Sequence, residues 1–141
     1  MSAPKCLQFV DTNILIDAHD SSAGGKDVKA RALIRDLWQS AEGCLRVQVV
    51  QELYVNVTQK IARPLTPDQA APRIANLSVW QMHRPGAEDV LDAMLLRQRY
   101  RLSFWDAMIV ASAIQLSCER LWSEDLNAGQ VYDTVTVRNP F

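Results

Sequence analysis

Four carboxylates stand where an ionised acid is costly unless something offsets its charge. Asp11 ends the apolar run Cys6-Leu7-Gln8-Phe9-Val10, and Glu52 interrupts the apolar positions Val49, Val50 and Leu53. Asp106 opens the apolar stretch Ala107 to Ile114, and Asp125 follows Leu121-Trp122-Ser123-Glu124. A charge withdrawn from water must be paired, hydrogen-bonded or bound to a metal. Acids without histidine or thiolate partners form a hard-oxygen set, suited to Mg²⁺ or Mn²⁺ and poorly suited to zinc. Such an ion stabilises charge on a phosphoryl group and acidifies bound water, so the chemistry implied is phosphodiester hydrolysis.

Taken singly, each acid has a plainer account. Asp11 could cap the helix after it, with Asn13 and Thr12 as turn residues or as polar support for the same space. Glu52, expected in the first turn of its helix, would gain from the helix dipole alone. Asp106 fits a capping box with Ser103, and Asp125 fits a turn. What the separate accounts leave unexplained is that all four fall at strand ends or helix starts, which share one edge of a parallel α/β sheet.

The elements that must position them follow from periodicity. Residues 7–10 read as a strand passing into a helix at Asp11-Thr12-Asn13, and after the polar loop Ser21 to Lys26 a helix starts near Asp27. Cys44 to Val47 reads as a strand, Val49 to Ile61 as a helix, and Thr66-Pro67-Asp68 as a capped helix start that Pro72 would kink or shorten. Residues 79–82 read as a third strand, followed by a helix from Gly86 to Arg101 with Val90, Leu91, Met94 and Leu95 facing inward. The helix after Ser103 is apolar nearly all round and should be central; Leu121-Trp122 and Val135-Thr136-Val137 complete the strands. Strands alternating with helices predict an α/β fold with a mainly parallel sheet.

Composition bounds the rest. A chain of 141 residues with 48% hydrophobic content is the size of one domain, 1–141, able to build its own core. Fifteen basic and 16 acidic side chains leave a net charge of -1, so any nucleic-acid partner must be held by a local patch. Cys6, Cys44 and Cys118 are odd in number and far apart, as reduced core residues would be, and His19 and His83 read as surface or edge residues. Residues 1–5 leave no room for a signal peptide before the first strand, and no run is long enough for a membrane span. A soluble, cytoplasmic protein with no membrane partner is expected.

The motifs Phe9-Val10-Asp11-Thr12-Asn13, Gln51-Glu52-Leu53, Phe104-Trp105-Asp106-Ala107 and Leu121-Trp122-Ser123-Glu124-Asp125-Leu126 resemble, in order and separation, those of the PIN-domain ribonucleases, in particular the VapC-like toxins of prokaryotic toxin-antitoxin pairs. The resemblance spans nearly the whole chain. It implies a three-layer sandwich with a central mainly parallel sheet flanked by helices, and an acidic metal site of Asp11, Glu52, Asp106 and Asp125, some meeting the metal through water. Asn13 and Ser123 would support that site. It further implies a Mg²⁺- or Mn²⁺-dependent endoribonuclease, a small antitoxin protein as partner, and a homodimer. Where many relatives carry a further acid after the last motif, this chain has Asn127, with Glu124 before Asp125, which leaves one or two metals open.

The cluster Arg97-Gln98-Arg99-Tyr100-Arg101 could hold RNA phosphates and stack a base, or could simply complement a helix carboxyl end. Two rival functions remain. An aspartyl-phosphate enzyme also uses an aspartate after its first strand, but the phosphatases of that type carry a second aspartate where this chain has Asn13. A non-catalytic module binding RNA or protein would keep the acids only as caps.

Overall fold

The structure, a computed structural model, describes residues 5–22 and 24–141. Residues 1–4, expected to lead into the first strand, and Ala23, in the expected polar loop, lie outside the described residues.

Short segments apolar on both faces can be buried only inside a sheet covered on both sides. The strands are β1 (Gln8–Val10), β2 (Gly43–Arg46), β3 (Gln81–His83), β4 (Arg120–Trp122), β5 (Val131–Tyr132) and β6 (Val135–Arg138). They form one sheet of order β3-β2-β1-β4-β6-β5, in which every pairing is parallel except the antiparallel β5–β6. Phe9 of β1 lies opposite Cys44 on one side and Leu121 on the other, and all three are fully buried. The connection from β1 leads one way to β2, while β4 docks on the other flank. This is the reversal point whose carboxyl edge opens into a crevice in doubly wound sheets.

The helices among the described residues are α1 (Thr12–His19), α2 (Lys26–Ser40), α3 (Val47–Gln59), α4 (Pro67–Leu77), α5 (Ala87–Tyr100) and α6 (Phe104–Gln115). Helix α1 packs on α2 and α3, α3 packs on α4, and α5 packs on α6. Together with the central sheet they make the expected layered α/β architecture. As expected, α6 is buried continuously from Ala107 to Ala113. No helix of the described residues is long and apolar enough to cross a membrane.

Several local expectations are corrected. The inward face of α5 is not Val90, Leu91, Met94 and Leu95. Leu91 and Leu95 are 59% and 66% exposed, and the buried positions are Ala93 and Leu96. Polar anchors set this rotation. Asp89 pairs with the imidazole of His83 at 3.3 Å, and one helical face later the Tyr100 hydroxyl donates to Asp133 at 2.7 Å. Residues 89, 93, 96 and 100 thus share one face, and small Ala93 lets α5 approach its neighbour. His83 is correspondingly buried, its Nδ1 2.8 Å from Ser112 Oγ, rather than at the surface. Pro72 sits inside α4 without ending it, since the capping box of Thr66 and Gln69 secures the amino end. Because α3 begins at Val47, Glu52 lies in its second turn, beyond the reach of a simple first-turn dipole account. The expected third strand falls at Gln81–His83 because Trp80 closes over Gly43: a Cβ at that glycine would lie 2.5 Å from the Trp80 ring.

Candidate active site

Asp11 leaves β1 in extended conformation and its backbone N–H donates to the Trp122 carbonyl, locking the two strand ends together. An ordinary capping aspartate accepts from the second or third helical N–H. Here Oδ1 accepts from the first, Thr12 N–H, at 2.7 Å, while Oδ2 accepts from the Ser123 hydroxyl at 2.9 Å. The Asn13 side-chain amide stands 3.5 Å from the same Oδ2. The carboxylate is therefore oriented from two sides of the reversal point, more constraint than a cap requires.

Ser123 is the junction of this arrangement. Its buried Oγ donates to Asp11 and accepts from the backbone N–H groups of Asp125 at 3.1 Å and Leu126 at 3.4 Å, so the loop carrying Asp125 is built around the Asp11 contact. The Thr12 hydroxyl donates to Glu52 Oε2 at 2.8 Å, and the Gln48 amide donates to Glu52 Oε1 at 2.9 Å. At α6 the capping box is only half made: the Ser103 hydroxyl accepts from Asp106 N–H at 3.1 Å, with no return bond from the Asp106 carboxylate. Among the described residues the carboxylates of Asp106 and Asp125 accept no hydrogen bond, which leaves them available to a ligand.

All four acids line one cleft of about 400 Å³, together with Thr12, Asn13, Arg46, Gln48 and Trp105. Burial falls from its floor to its rim, with Asp11 buried, Asp106 half-buried, and Glu52 and Asp125 exposed. Burial pushes the Asp11 carboxyl up to about 6; the Ser123 hydroxyl and Thr12 N–H oppose this, and the charges of Asp125 and Asp106 add to it. A carboxylate whose ionised form is disfavoured by burial and by like charges is one that a cation would relieve.

Arg46 was not foreseen as a site residue. It ends β2 at 2% exposure on the wall of the cleft, and its Nε and Nη1 have no hydrogen-bond partner among the described residues. A readable signal was present: an arginine interrupting an otherwise apolar strand. Glu124 turns away from the cleft and binds Lys26 Nζ at 2.5 Å, its backbone N–H 3.4 Å from Asn13 Oδ1. Burial, and then the neighbouring Glu124, push Asp17 up to about 7 behind the same loop.

The basic cluster stands apart. Arg99 binds Asp133 at 3.1 Å, Arg101 is the left-handed cap of α5, and neither these nor Arg97 line the acidic cleft. As for a metal, no three His, Cys, Asp or Glu side chains form a ready cage among the described residues. The oxygen donors still fit a hydrated hard cation, because Mg²⁺ keeps several waters and takes one or two carboxylates directly. Asp11, Asp106 and Asp125 could hold it, and Glu52 could reach it through water.

A family model described as the PIN domain matches residues 9–133. No curated protein sequence matches the chain. Among solved structures, a toxin-antitoxin complex from Klebsiella pneumoniae superposes with a TM-score of 0.71 at 20% identity, over 95% of this chain and 98% of that one. VapBC2 from Rickettsia felis, bound to a DNA fragment from its promoter, gives 0.64 at 15% identity over 94% and 98%. The Mycobacterium tuberculosis toxin VapC20, described as cleaving the sarcin-ricin loop, gives 0.58 at 19% identity over 81% and 86%. At these identities the likeness is one of fold.

Proposed function

The chain belongs to the PIN-domain family, and from that premise we propose that it is a Mg²⁺- or Mn²⁺-dependent endoribonuclease, the toxin of a type II toxin-antitoxin pair. The observation that carries this reading is the convergence of Asp11, Glu52, Asp106 and Asp125, drawn from separate elements, on one cleft at the reversal point of the sheet. Single-stranded or loop RNA is the substrate class, since a backbone must enter a cleft of this size with its bases splayed. Trp105, 61% exposed on the cleft wall, offers a face on which such a base can stack.

Bound among Asp11, Asp106 and Asp125, the divalent ion would supply positive charge to the phosphoryl group and acidify water. The chain's own part is positional. Ser123 and Thr12 N–H fix the Asp11 oxygens, Thr12 and Gln48 fix Glu52, and the half-made cap leaves Asp106 free to turn into the cleft. Asp106 and Asp125 retain uncommitted oxygens able to take the proton of an attacking water. Arg97 and Arg101, exposed on α5 and at its end, are the proposed outlying phosphate contacts. A small antitoxin protein and a second copy of the chain are the proposed partners; a neighbour described as a toxin-antitoxin complex supports the first.

The test is cleavage of a total RNA pool with sequencing of new 5′ ends. Wild-type protein should cut with Mg²⁺ or Mn²⁺ and stop with chelator, and Asp106→Asn should cut at least about a hundredfold more slowly. Absence of cleavage, with no thermal shift on metal addition, would instead favour the non-catalytic module.

A further inference from the structure

The Arg46 guanidinium is an unusual occupant of an acidic cleft. It is 2% exposed, and Nε and Nη1 are enclosed without a partner among the described residues. Burying a guanidinium without hydrogen bonds or a contact ion pair is costly, so a compensating field must come from nearby charge. The carboxylates near enough to supply it are Glu52 first and Asp11 second. On the other side, the carboxylates acting on Asp11 are Asp125 and Asp106. Hydrogen bonding sorts the acids around Asp11 into two halves: Glu52, held by Thr12 and Gln48, and Asp106 with Asp125, whose carboxylates accept no bond among the described residues.

The halves differ in what they can offer a cation. Both Glu52 oxygens are engaged, Oε2 by Thr12 at 2.8 Å and Oε1 by Gln48 at 2.9 Å. A divalent ion seated there would face a fixed positive charge as well as an occupied carboxylate. The Asp106 and Asp125 carboxylates carry neither handicap.

We propose that Arg46 is the built-in second cation of this cleft, its fixed charge beside Glu52 and Asp11 limiting the site to a single divalent ion, held at Asp11, Asp106 and Asp125. The proposal rests on the metal-site reading above and adds to it a stoichiometry and a role for a residue outside the acid set. Arg46 acts on the ion through the field it sets up beside Asp11, which makes it a positioning residue.

The experiment is calorimetric titration of the purified chain with Mn²⁺, with bound Mn²⁺ counted independently by electron paramagnetic resonance. Wild type should bind one Mn²⁺ per chain. Arg46→Met keeps the length of the side chain and removes its charge; it should either admit a second Mn²⁺ or bind the first on the order of tenfold more tightly. Arg46→Lys should keep one site at near wild-type affinity. Glu52→Gln, which does not depend on the folding of an Arg46 variant, should weaken the ion's hold through the lost water-mediated contact but keep the count at one site. Two Mn²⁺ ions in wild type, an unchanged Arg46→Met isotherm, or loss of binding in Glu52→Gln would each overturn the proposal while leaving the nuclease reading intact. No Mn²⁺ binding in wild type would overturn both.

Discussion

Asp11 carries opposing demands in one carboxylate: it is buried at the junction of two strands, yet its proposed role as a metal ligand requires it ionised. Its ordinary value is 3.8 and burial raises it to about 6 in the fold. The folded state therefore holds this proton more tightly than the unfolded chain, and the contribution of Asp11 to stability falls as pH rises between those values. Metal-free Asp11→Asn should consequently be more stable than wild type at pH 7.5, by up to about 3 kcal/mol, with the gap narrowing at pH 5. Urea denaturation at the two pH values measures this; a variant less stable at pH 7.5 would show that the hydrogen bonds from Ser123 and Thr12 outweigh the charge. Asp11, Asp106 and Asp125 were legible in the sequence because strand ends and helix starts can be read from periodicity. Arg46 was not singled out, although an arginine within the apolar run Cys44-Leu45-Arg46-Val47 was a signal open to reading.

At the scale of elements, the site depends on how strand ends and helix starts are pinned. Removing the Ser103 hydroxyl with Ser103→Ala should cost about 1 kcal/mol through loss of the α6 cap, measurable as a lowered melting temperature. Gly43→Ala should cost about 1–3 kcal/mol, since the added methyl meets the Trp80 ring at 2.5 Å and the strand carrying Arg46 must shift. Helix α5 marks where pattern reading fell short. Two candidate apolar stripes wind around it, and the choice was made by distant polar partners, His83 for Asp89 and Asp133 for Tyr100, which local periodicity cannot supply. Leu95→Glu tests that orientation: an exposed position should tolerate it within about 0.5 kcal/mol, whereas an inward one would lose several. The two-residue β5 escaped the sequence reading because it is too short to show alternation.

Over the whole molecule, the sheet order explains why residues so far apart in the chain share a cleft. With β1 between β2 and β4, the segments after these strands converge, bringing Asp11, Arg46 and Asp125 to one edge, and α3 and α6 add Glu52 and Asp106 from either flank. That the four acids share one edge followed from the alternation of strands and helices, together with acids at the junctions; the strand order and Arg46 did not. Which RNA the proposed activity would select depends on surface shape, which no motif encodes. The central claim, a metal-dependent ribonuclease site, is tested most directly by the rate of RNA cleavage with Mn²⁺ for wild type beside Asp11→Asn. Chelator-sensitive cutting by wild type, lost by about a hundredfold or more in Asp11→Asn, is the predicted result; cutting by Asp11→Asn at the wild-type rate would contradict it.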